Sequence, residues 1–401
     1  MSRPDIRTDS GAVVFVWATW ALQIGLTRFR EGGRGPTCEL TASIKQQDKL
    51  KTLTSATVSL SSLSAREGLS KRLKKLYDTP DWDTVIETVC VKGLQEFRRC
   101  EPLLYLNGEE THTVESFVLN PLLYERHPTL LYGPGDSGKS FFALYCACLL
   151  SVGGSENGLA CSDWPVLYLD WELAYEEMNV RLTMLKAGHP SFKAVQVAYK
   201  RPLAPLAECV DELRATITET GARVLIVDSL ALAAGAELER AETAIRFHQA
   251  LRQLGLPALL LGHTAKNSEE KTPFGSVFFF NLARTVWEVR KSQEPDAGLY
   301  RFGLYHKKCN LGPKRSPLGF TVSIDQGVCR ITTADLSEEP ELRAGLPLQV
   351  QIEKVLHGKP SMTVRALAQE LDANDASIRT TLHRYKGKKW MTVSEGEWAS
   401  L

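Results

Sequence analysis

Residues 133–140 limit the possible folds and functions of this chain more than any other segment does. They read GPGDSGKS and fit the pattern G-x-x-x-x-G-K-[ST]. An apolar, strand-like run (129–132) precedes them and a helix-like segment (141–151) follows, which is the context in which this pattern binds phosphate. The glycines let the backbone curl so that successive N–H groups point at one spot, at the positive end of the helix dipole. The segment predicts a nucleoside-triphosphate site made by Gly133, Pro134, Gly135, Asp136, Ser137, Gly138, Lys139 and Ser140.

Three side chains have predicted roles around the phosphates. Lys139 is placed to reach the β- and γ-phosphates, and the Ser140 hydroxyl is placed to ligate Mg²⁺. The apolar run at 224–227 ends in Asp228, an acid at the carboxyl end of a buried strand, which would hold the hydration shell of the same ion. The sequence therefore predicts ATP and Mg²⁺ as cofactors.

Two further strand ends carry candidate catalytic groups. The segment 166–172 (VLYLDWE) offers Glu172 or Asp170 as the carboxylate that polarises the attacking water, unless both acids cap the next helix. The segment 259–266 (LLLGHTAK) ends in His263, Thr264 and Lys266, which form either a γ-phosphate sensor or a surface turn. We include His263 among the predicted catalytic residues.

The chain of 401 residues reads as three regions. Residues 1–112 predict a mixed α+β region without a recognisable motif, opening with an apolar run (12–26) that favours a buried strand over a signal peptide or membrane segment. Residues 116–334 alternate apolar strands and helices, which predicts an α/β domain with a mostly parallel sheet. A linker at 334–348 then leads to a small domain at 348–401.

The composition indicates the cellular compartment of the protein but does not indicate a binding partner. The net charge of +1 gives no global signal for nucleic acid or membrane. Nine scattered cysteines without a C-x-x-C spacing argue against a disulfide framework or a zinc site. We expect a cytoplasmic protein that does not associate with membranes.

The C-terminal pattern of two helices across a tight turn, followed by a hairpin, resembles a winged helix-turn-helix. Between residues 376 and 394 there are five lysines and arginines and no acidic residue. Such a patch contacts DNA phosphates without reading sequence, although winged helices also serve as protein-contact modules. The predicted DNA-binding residues are Arg379, Arg384, Lys386, Lys388 and Lys389.

The ordered motifs GPGDSGKS, YLDWE, LIVDSL and LGHTAK, then GSVFFFNLAR (275–284) and KKCNLGP (307–313), resemble the RecA-like ATPase domain of the RepA type. That type includes a hexameric replicative helicase and is related to the DnaB helicases. Glu172 matches the position of the catalytic acid in RecA-like ATPases. The resemblance also implies that Arg284 is an arginine finger acting on the neighbouring subunit's nucleotide, unless it is a salt-bridged strand residue. Lys308 matches the lysine of the family's Lys-x-Asn element, which implies a nucleotide-binding role for it, with Asn310 where DnaB-like proteins carry arginine.

One departure from the family is the cluster Phe278-Phe279-Phe280, in a loop where smaller residues are usual. Its rings would stack on bases, bury in a subunit interface or pack in the core. The whole pattern predicts an ATP-hydrolysing DNA motor or remodeller that assembles in a ring or filament and serves replication or recombination, with a protein of those pathways as partner. The alternatives are a nucleotide-switched DNA-binding or loading factor, and an adaptor in which the first region recruits another protein.

Overall fold

The computed structural model describes residues 3–9, 12–30, 35–46, 49–98, 103, 105, 116–264, 273–292, 298–357, 359–394 and 396–401. The predicted connector at 100–115 lies almost entirely outside these residues, and so does Lys266 of the predicted sensor segment. The chain forms two compact units, Met1–Thr111 with Glu208–Glu219, and His112–Ala207 with Thr220–Leu401.

The first unit is an antiparallel sheet whose five strands follow chain order. Alternating apolar residues give the sheet one buried face, as Phe15 on β2 and Ile24 on β3 illustrate. Helices α1 and α2 pack on that face, and each begins at a capping side chain, Ser62 and Asp81 respectively. The elements are β1 (Asp5–Asp9), β2 (Ala12–Trp17), β3 (Leu22–Arg30), β4 (Thr37–Gln46), β5 (Lys49–Ser59), α1 (Leu63–Leu76) and α2 (Trp82–Phe97).

Residues 12–26 form two buried strands rather than the single strand that the sequence predicts. A 3-10 turn, Ala18–Trp20, and the left-handed residue Ala21 (φ 49°) separate β2 from β3. The apolar run continues through the turn because Trp20 packs against the same core, so composition alone does not mark the break.

The second unit contains a nine-stranded sheet in the order β12-β11-β13-β14-β8-β15-β16-β17-β18. The first six strands in this order run parallel, and β15 to β18 pair antiparallel, so the sheet is mixed. Its strands are β8 (Thr129–Gly133), β11 (Val166–Asp170), β12 (Ala198–Lys200), β13 (Val224–Asp228), β14 (Ala258–His263), β15 (Thr285–Ser292), β16 (Leu299–Cys309), β17 (Leu318–Asp325) and β18 (Val328–Thr333). The short hairpins are β6 (Phe117–Leu119) with β7 (Leu123–Tyr124), and β9 (Gly154–Glu156) with β10 (Leu159–Cys161).

Helices follow most of the parallel strands, and α3 and α4 contribute buried apolar residues to the core of the sheet. Helix α3 is apolar on nearly every side and is buried from Phe142 to Leu150, since it lies in the middle of the core. The helices are α3 (Lys139–Val152), α4 (Tyr175–Gly188), α5 (Val210–Thr220, which belongs almost wholly to the first unit), α6 (Leu230–Ala234), α7 (Ala241–Leu254) and α8 (Val277–Leu282).

The predicted linker at 334–348 is an ordered, partly buried segment. It contains a short helix, α9 (Pro340–Arg343), and its Leu336 and Leu342 are buried against Tyr305. The Tyr305 hydroxyl donates to the carbonyl of Leu342, and Arg301 pairs with Glu339. Proline and glycine suggested a linker here, but the two leucines anchor the segment.

The C-terminal residues form a small cluster of three helices and three strands around Ile352, Leu367, Leu382 and Trp390. Thr363 and Asn374 cap the second and third helices, which a tight turn separates. The elements are α10 (Leu348–Leu356), β19 (Met362–Thr363), α11 (Val364–Glu370), α12 (Asp375–Arg384), β20 (Trp390–Ser394) and β21 (Glu397–Ser400), with β21 in the middle of the sheet. Among the helices of the described ranges, none has the length and apolarity needed to cross a membrane.

Candidate nucleotide-binding site

The glycine loop joins the carboxyl end of β8 to the start of α3 and borders a cavity of about 350 Å³. Gly133 must lack a side chain, because a Cβ there would lie 2.8 Å from the Val289 backbone oxygen. Gly138 has φ +81° and a Cβ would meet the Tyr300 hydroxyl at 2.6 Å. Gly135 has open space around it, and Asp136 takes the left-handed conformation in mid-loop (φ 59°). Two of the three predicted glycines are therefore required by geometry.

Lys139 is buried and directed at the loop itself. Its Nζ donates to the carbonyls of Gly133 (3.1 Å) and Pro134 (2.6 Å) and to the Ser137 hydroxyl (3.1 Å). Burial lowers the pKa of Lys139 to about 8, against the opposing attraction of Asp228. The acceptors of this ammonium are two carbonyls and a hydroxyl, and a bound phosphate would add a negatively charged acceptor.

This pKa predicts a pH dependence of nucleotide affinity. Bound phosphate favours the protonated form of Lys139. Above about pH 8 the complex therefore binds more protons than the free protein does. Nucleotide affinity should consequently fall as the pH rises through that value, by up to about tenfold per pH unit. Calorimetric titration with a Mg²⁺-bound, non-hydrolysable ATP analogue at pH 7 and pH 9, in buffers of different ionisation enthalpy, measures both affinity and proton uptake. Lys139→Arg should show a flatter profile because arginine stays charged; equal affinity without proton uptake at pH 9 would contradict the assignment.

Asp228 faces the same cavity from the end of β13, two strands away from β8. Its Oδ2 accepts from the Tyr168 hydroxyl at 2.8 Å. Burial raises the pKa of Asp228 to about 6, and hydrogen bonds from the Ser140 and Tyr168 hydroxyls act in the opposite direction. A buried carboxylate next to the Ser140 hydroxyl is the arrangement predicted for a Mg²⁺ site.

The donor set fits magnesium held together with phosphate. Within the residues that the structure describes, no group of three or more His, Cys, Asp or Glu side chains could hold a metal ion. Mg²⁺ commonly keeps several waters and takes only one or two protein ligands beside substrate phosphates. Ser140 and Asp228 supply that number of oxygen donors at the loop.

Glu172 and His263 lie close to each other in the lining of the same cavity. Glu172 Oε1 lies 3.6 Å from His263 Nε2, and this nearby imidazole is the main cause that lowers the pKa of Glu172. His263 pairs with Gly133 in the sheet, and the Thr264 N–H donates to the Gly133 carbonyl at 3.1 Å. The histidine therefore links the start of the glycine loop to the Glu172 carboxylate.

Asp170, the competing candidate for the base, has a different environment. Its Oδ1 accepts the backbone N–H groups of Glu172 (2.7 Å) and Leu173 (2.9 Å), and the residue does not line the cavity. Strand β11 ends at Asp170, so the alternation that would place both acids on one side stops before Glu172. Asp170 holds the turn, and Glu172 faces the cavity.

Three cavity residues have no signal in the sequence motifs. Lys291 on β15 donates to the Asp136 carbonyl at 2.8 Å and lies 4.5 Å above the Tyr300 ring. Tyr300 covers Gly138, and Arg181 of α4 lies against Phe141 at 5.2 Å. Predicting that these side chains lie beside the loop would have required the register of β15 with β8 and the position of α4.

Arg284 and Lys308 lie away from this cavity. Thr285 pairs with Thr129 in the parallel β8–β15 ladder, four residues before Gly133. At about 3.3 Å per residue, Arg284 lies at least about 13 Å from the start of the glycine loop, beyond the reach of an arginine side chain. Lys308 Nζ donates to the carbonyls of Phe280 (3.0 Å), Asn281 (2.7 Å) and Ala283 (2.8 Å) at the end of α8. Neither residue lines the cavity at the glycine loop.

The predicted loop at 278–280 is helical. Phe279 is buried against Phe247, Phe280 lies beside Lys308, and Phe278 remains 38% exposed. The core interpretation therefore holds for Phe279, while Phe274, Val277, Phe278 and Leu282 leave an exposed apolar patch.

The basic residues of the C-terminal cluster lie on its third helix and the following hairpin. Arg379, Arg384, Lys386 and Lys388 are exposed. Lys389 differs, because its Nζ pairs with Glu353 Oε2 at 2.5 Å. Four of the five predicted DNA contacts are thus at the surface, and the fifth is engaged with an acid.

Part of the chain matches a known protein family, and its fold has solved relatives. A family profile described as "AAA domain" matches residues 100–269. A KaiC-like protein from the hyperthermophilic archaeon Pyrococcus horikoshii OT3 is 13% identical, with 57% of this chain and 99% of that chain covered and a TM-score of 0.38. The RadB recombinase is 18% identical, with coverage of 53% and 93% and a TM-score of 0.38. No curated protein matches the chain. The AAA-domain match spans the glycine loop, Glu172, Asp228 and His263, and ends before Arg284.

Proposed function

We propose that this protein is a Mg²⁺-dependent ATPase of the RecA-like class that acts on DNA as a motor or remodeller. The observation that carries the proposal is the cavity in which Lys139, Asp228 and Glu172 converge on the glycine loop. The AAA-domain match over the same residues supports an ATPase. ATP would supply the γ-phosphoryl group, and Mg²⁺ would neutralise charge on its oxygens.

Residues of one subunit perform most of the chemistry. Lys139 exchanges its loop carbonyls for the γ-phosphate, and the loop N–H groups bind the phosphate oxygens. Glu172 is ionised at neutral pH, since its pKa is lowered, and can take a proton from water in line with the γ-phosphorus. His263, between Glu172 and Gly133, is placed to respond when the γ-phosphate leaves.

The arginine that contacts the γ-phosphate comes from a second copy of the chain. Arg284 is exposed just before β15, and both Arg284 and Lys308 are too far from the glycine loop of the same chain to act there. A head-to-tail contact, which closes into a ring or propagates as a filament, would bring these residues to a neighbour's cavity. The exposed apolar side chains of α8, which ends two residues before Arg284, support such a contact.

The direct test is ATP turnover with and without single-stranded or forked DNA. Lys139→Ala should reduce turnover to background while leaving the circular dichroism spectrum unchanged, because the γ-phosphate loses its point charge. Lys193→Ala, at an exposed lysine outside the cavity, is the matched control and should behave as wild type. Wild-type turnover in Lys139→Ala would overturn the proposal, and strand separation of the fork distinguishes a motor from a nucleotide-switched loading factor.

We further propose that residues 348–401 are a winged helix-turn-helix that binds DNA phosphates through α12 and the β20–β21 hairpin. Arg379→Ala with Arg384→Ala should weaken duplex binding and flatten the slope of log affinity against log salt by about 0.9 for each phosphate that is no longer neutralised. Basal ATP turnover should stay near the wild-type value. Arg330→Ala, at an exposed arginine on β18, is the control; an unchanged slope in the double variant would favour protein contacts instead.

A further inference from the structure

A second cavity, of about 400 Å³, lies between helix α4 and the edge strand β12. Its lining shares no residue with the lining of the nucleotide cavity. The volume is in the range of clefts that hold small ligands. None of the roles proposed above uses it.

Three tyrosines dominate the lining. The rings of Tyr168 and Tyr199 are stacked with centroids 6.2 Å apart, and Tyr175, which is 59% exposed at the mouth, lies 6.1 Å from Tyr199. Aromatic walls of this kind favour a flat aromatic ligand, which gains from stacked and edge-on contacts. The lining includes one side chain that is charged at neutral pH, Lys186, so the cavity favours an acid over a base.

Tyr168 and Tyr199 also make hydrogen bonds to segments that carry the proposed ATPase residues. The Tyr168 hydroxyl donates to Asp228 Oδ2 at 2.8 Å. The Tyr199 hydroxyl donates to the Leu173 carbonyl at 2.9 Å, in the turn that carries Glu172. Residues that line this cavity are therefore hydrogen-bonded to Asp228, the proposed magnesium ligand, and to the turn that carries Glu172, the proposed general base.

We propose that this cavity is an effector site for a planar aromatic acid, and that its occupancy strengthens nucleotide binding through Tyr168 and Tyr199. A ligand against the partly exposed Tyr199 ring would restrict the motion of that ring and of the Tyr168 ring stacked on it, so nucleotide binding would have to order these groups less. Coupling of this kind is reciprocal: nucleotide raises the affinity for the effector by the same factor. The binding half of the proposal is independent of the proposed function, and the coupling half rests on it.

The binding half is tested with 2-naphthoate and its neutral analogue 2-naphthamide, titrated by fluorescence against the full chain. We expect 2-naphthoate to bind more tightly than 2-naphthamide, and Lys186→Gln to remove that preference. Lys193→Gln, at an exposed lysine outside the lining, is the matched control and should keep it. Val197→Trp fills the cavity and should abolish binding of both probes. If Lys186→Gln leaves the preference unchanged, or neither probe binds the wild-type protein, the site is refuted even if Val197→Trp fails to fold.

The coupling half is tested by repeating the 2-naphthoate titration with a saturating Mg²⁺-bound ATP analogue. Affinity should rise about fivefold or more, and 2-naphthoate should raise the analogue's affinity by an equal factor. Tyr168→Phe keeps the ring but removes the hydrogen bond to Asp228, so it should still bind the probe and show a smaller factor. Probe binding without any effect of nucleotide overturns the coupling. Failure of the analogue to bind in the absence of probe is a separate result, which refutes the proposed function and not the cavity.

Discussion

Glu172→Gln should bind Mg²⁺-ATP as tightly as the wild type and lower its turnover by about 10²–10⁴, the usual contribution of a general base. The amide keeps the size of the side chain but cannot take the proton from water. Single-turnover assays with labelled ATP separate binding from hydrolysis. The nearby His263 lowers the pKa of Glu172, whereas burial raises that of Asp228 to about 6, so the loss of kcat/KM with acid should follow protonation of Asp228 and not of Glu172.

Asp170→Asn is the matched comparison. An asparagine keeps an oxygen that can accept the N–H groups of Glu172 and Leu173, so the turn should survive and hydrolysis should remain far above that of Glu172→Gln. The reverse pattern, with Asp170→Asn trapping ATP and Glu172→Gln turning over, would move the base to Asp170. Loss of ATP binding in both variants would show that the turn, and not the proton transfer, had been disturbed.

The central strands and the glycine loop could be predicted because each parallel strand is buried on both faces. A strand in that position is a continuous apolar run ending where the chain returns to the surface, so the ends at Gly133, Asp228 and His263 are visible in the sequence. The polar residues at these ends meet because parallel strands share one carboxyl edge. Only the order of the strands, with β14 between β8 and β13, had to come from the structure.

The choice between Asp170 and Glu172 could not come from alternation, because it depends on the residue at which β11 ends. Lys291 and Tyr300 were missed for a related reason: they lie on the antiparallel part of the sheet, far along the chain from the loop they cover. Their position follows from strand register, and an isolated lysine or tyrosine in a strand has no local pattern. Phe278 to Phe280 were expected in a loop, but the hydroxyl of Ser276 accepts from the Phe278 N–H and starts a helix there.

Mixing Arg284→Ala with Lys139→Ala should restore ATP turnover that neither variant has alone. At an interface where the Arg284→Ala subunit supplies the glycine loop and the Lys139→Ala subunit supplies the arginine, both catalytic groups are present. In an equal mixture with random assembly, about one interface in four has this composition, so up to about a quarter of wild-type turnover should return. Arg284→Ala alone should bind ATP normally and turn it over about 10³-fold or more slowly, the range of arginine fingers.

The informative control is a mixture of Lys139→Ala with Glu172→Gln. Both lesions lie in the same cavity, so every site in the mixed assembly is defective in one group or the other, and no turnover should return. Subunit exchange must be shown separately, by energy transfer between differently labelled subunits. Given exchange, recovery in the first mixture and not in the second requires that Arg284 act on a neighbour, as its distance of at least about 13 Å from its own loop demands. Recovery in neither mixture would make Arg284 a structural residue at the start of β15, and the ring or filament would lose its main support.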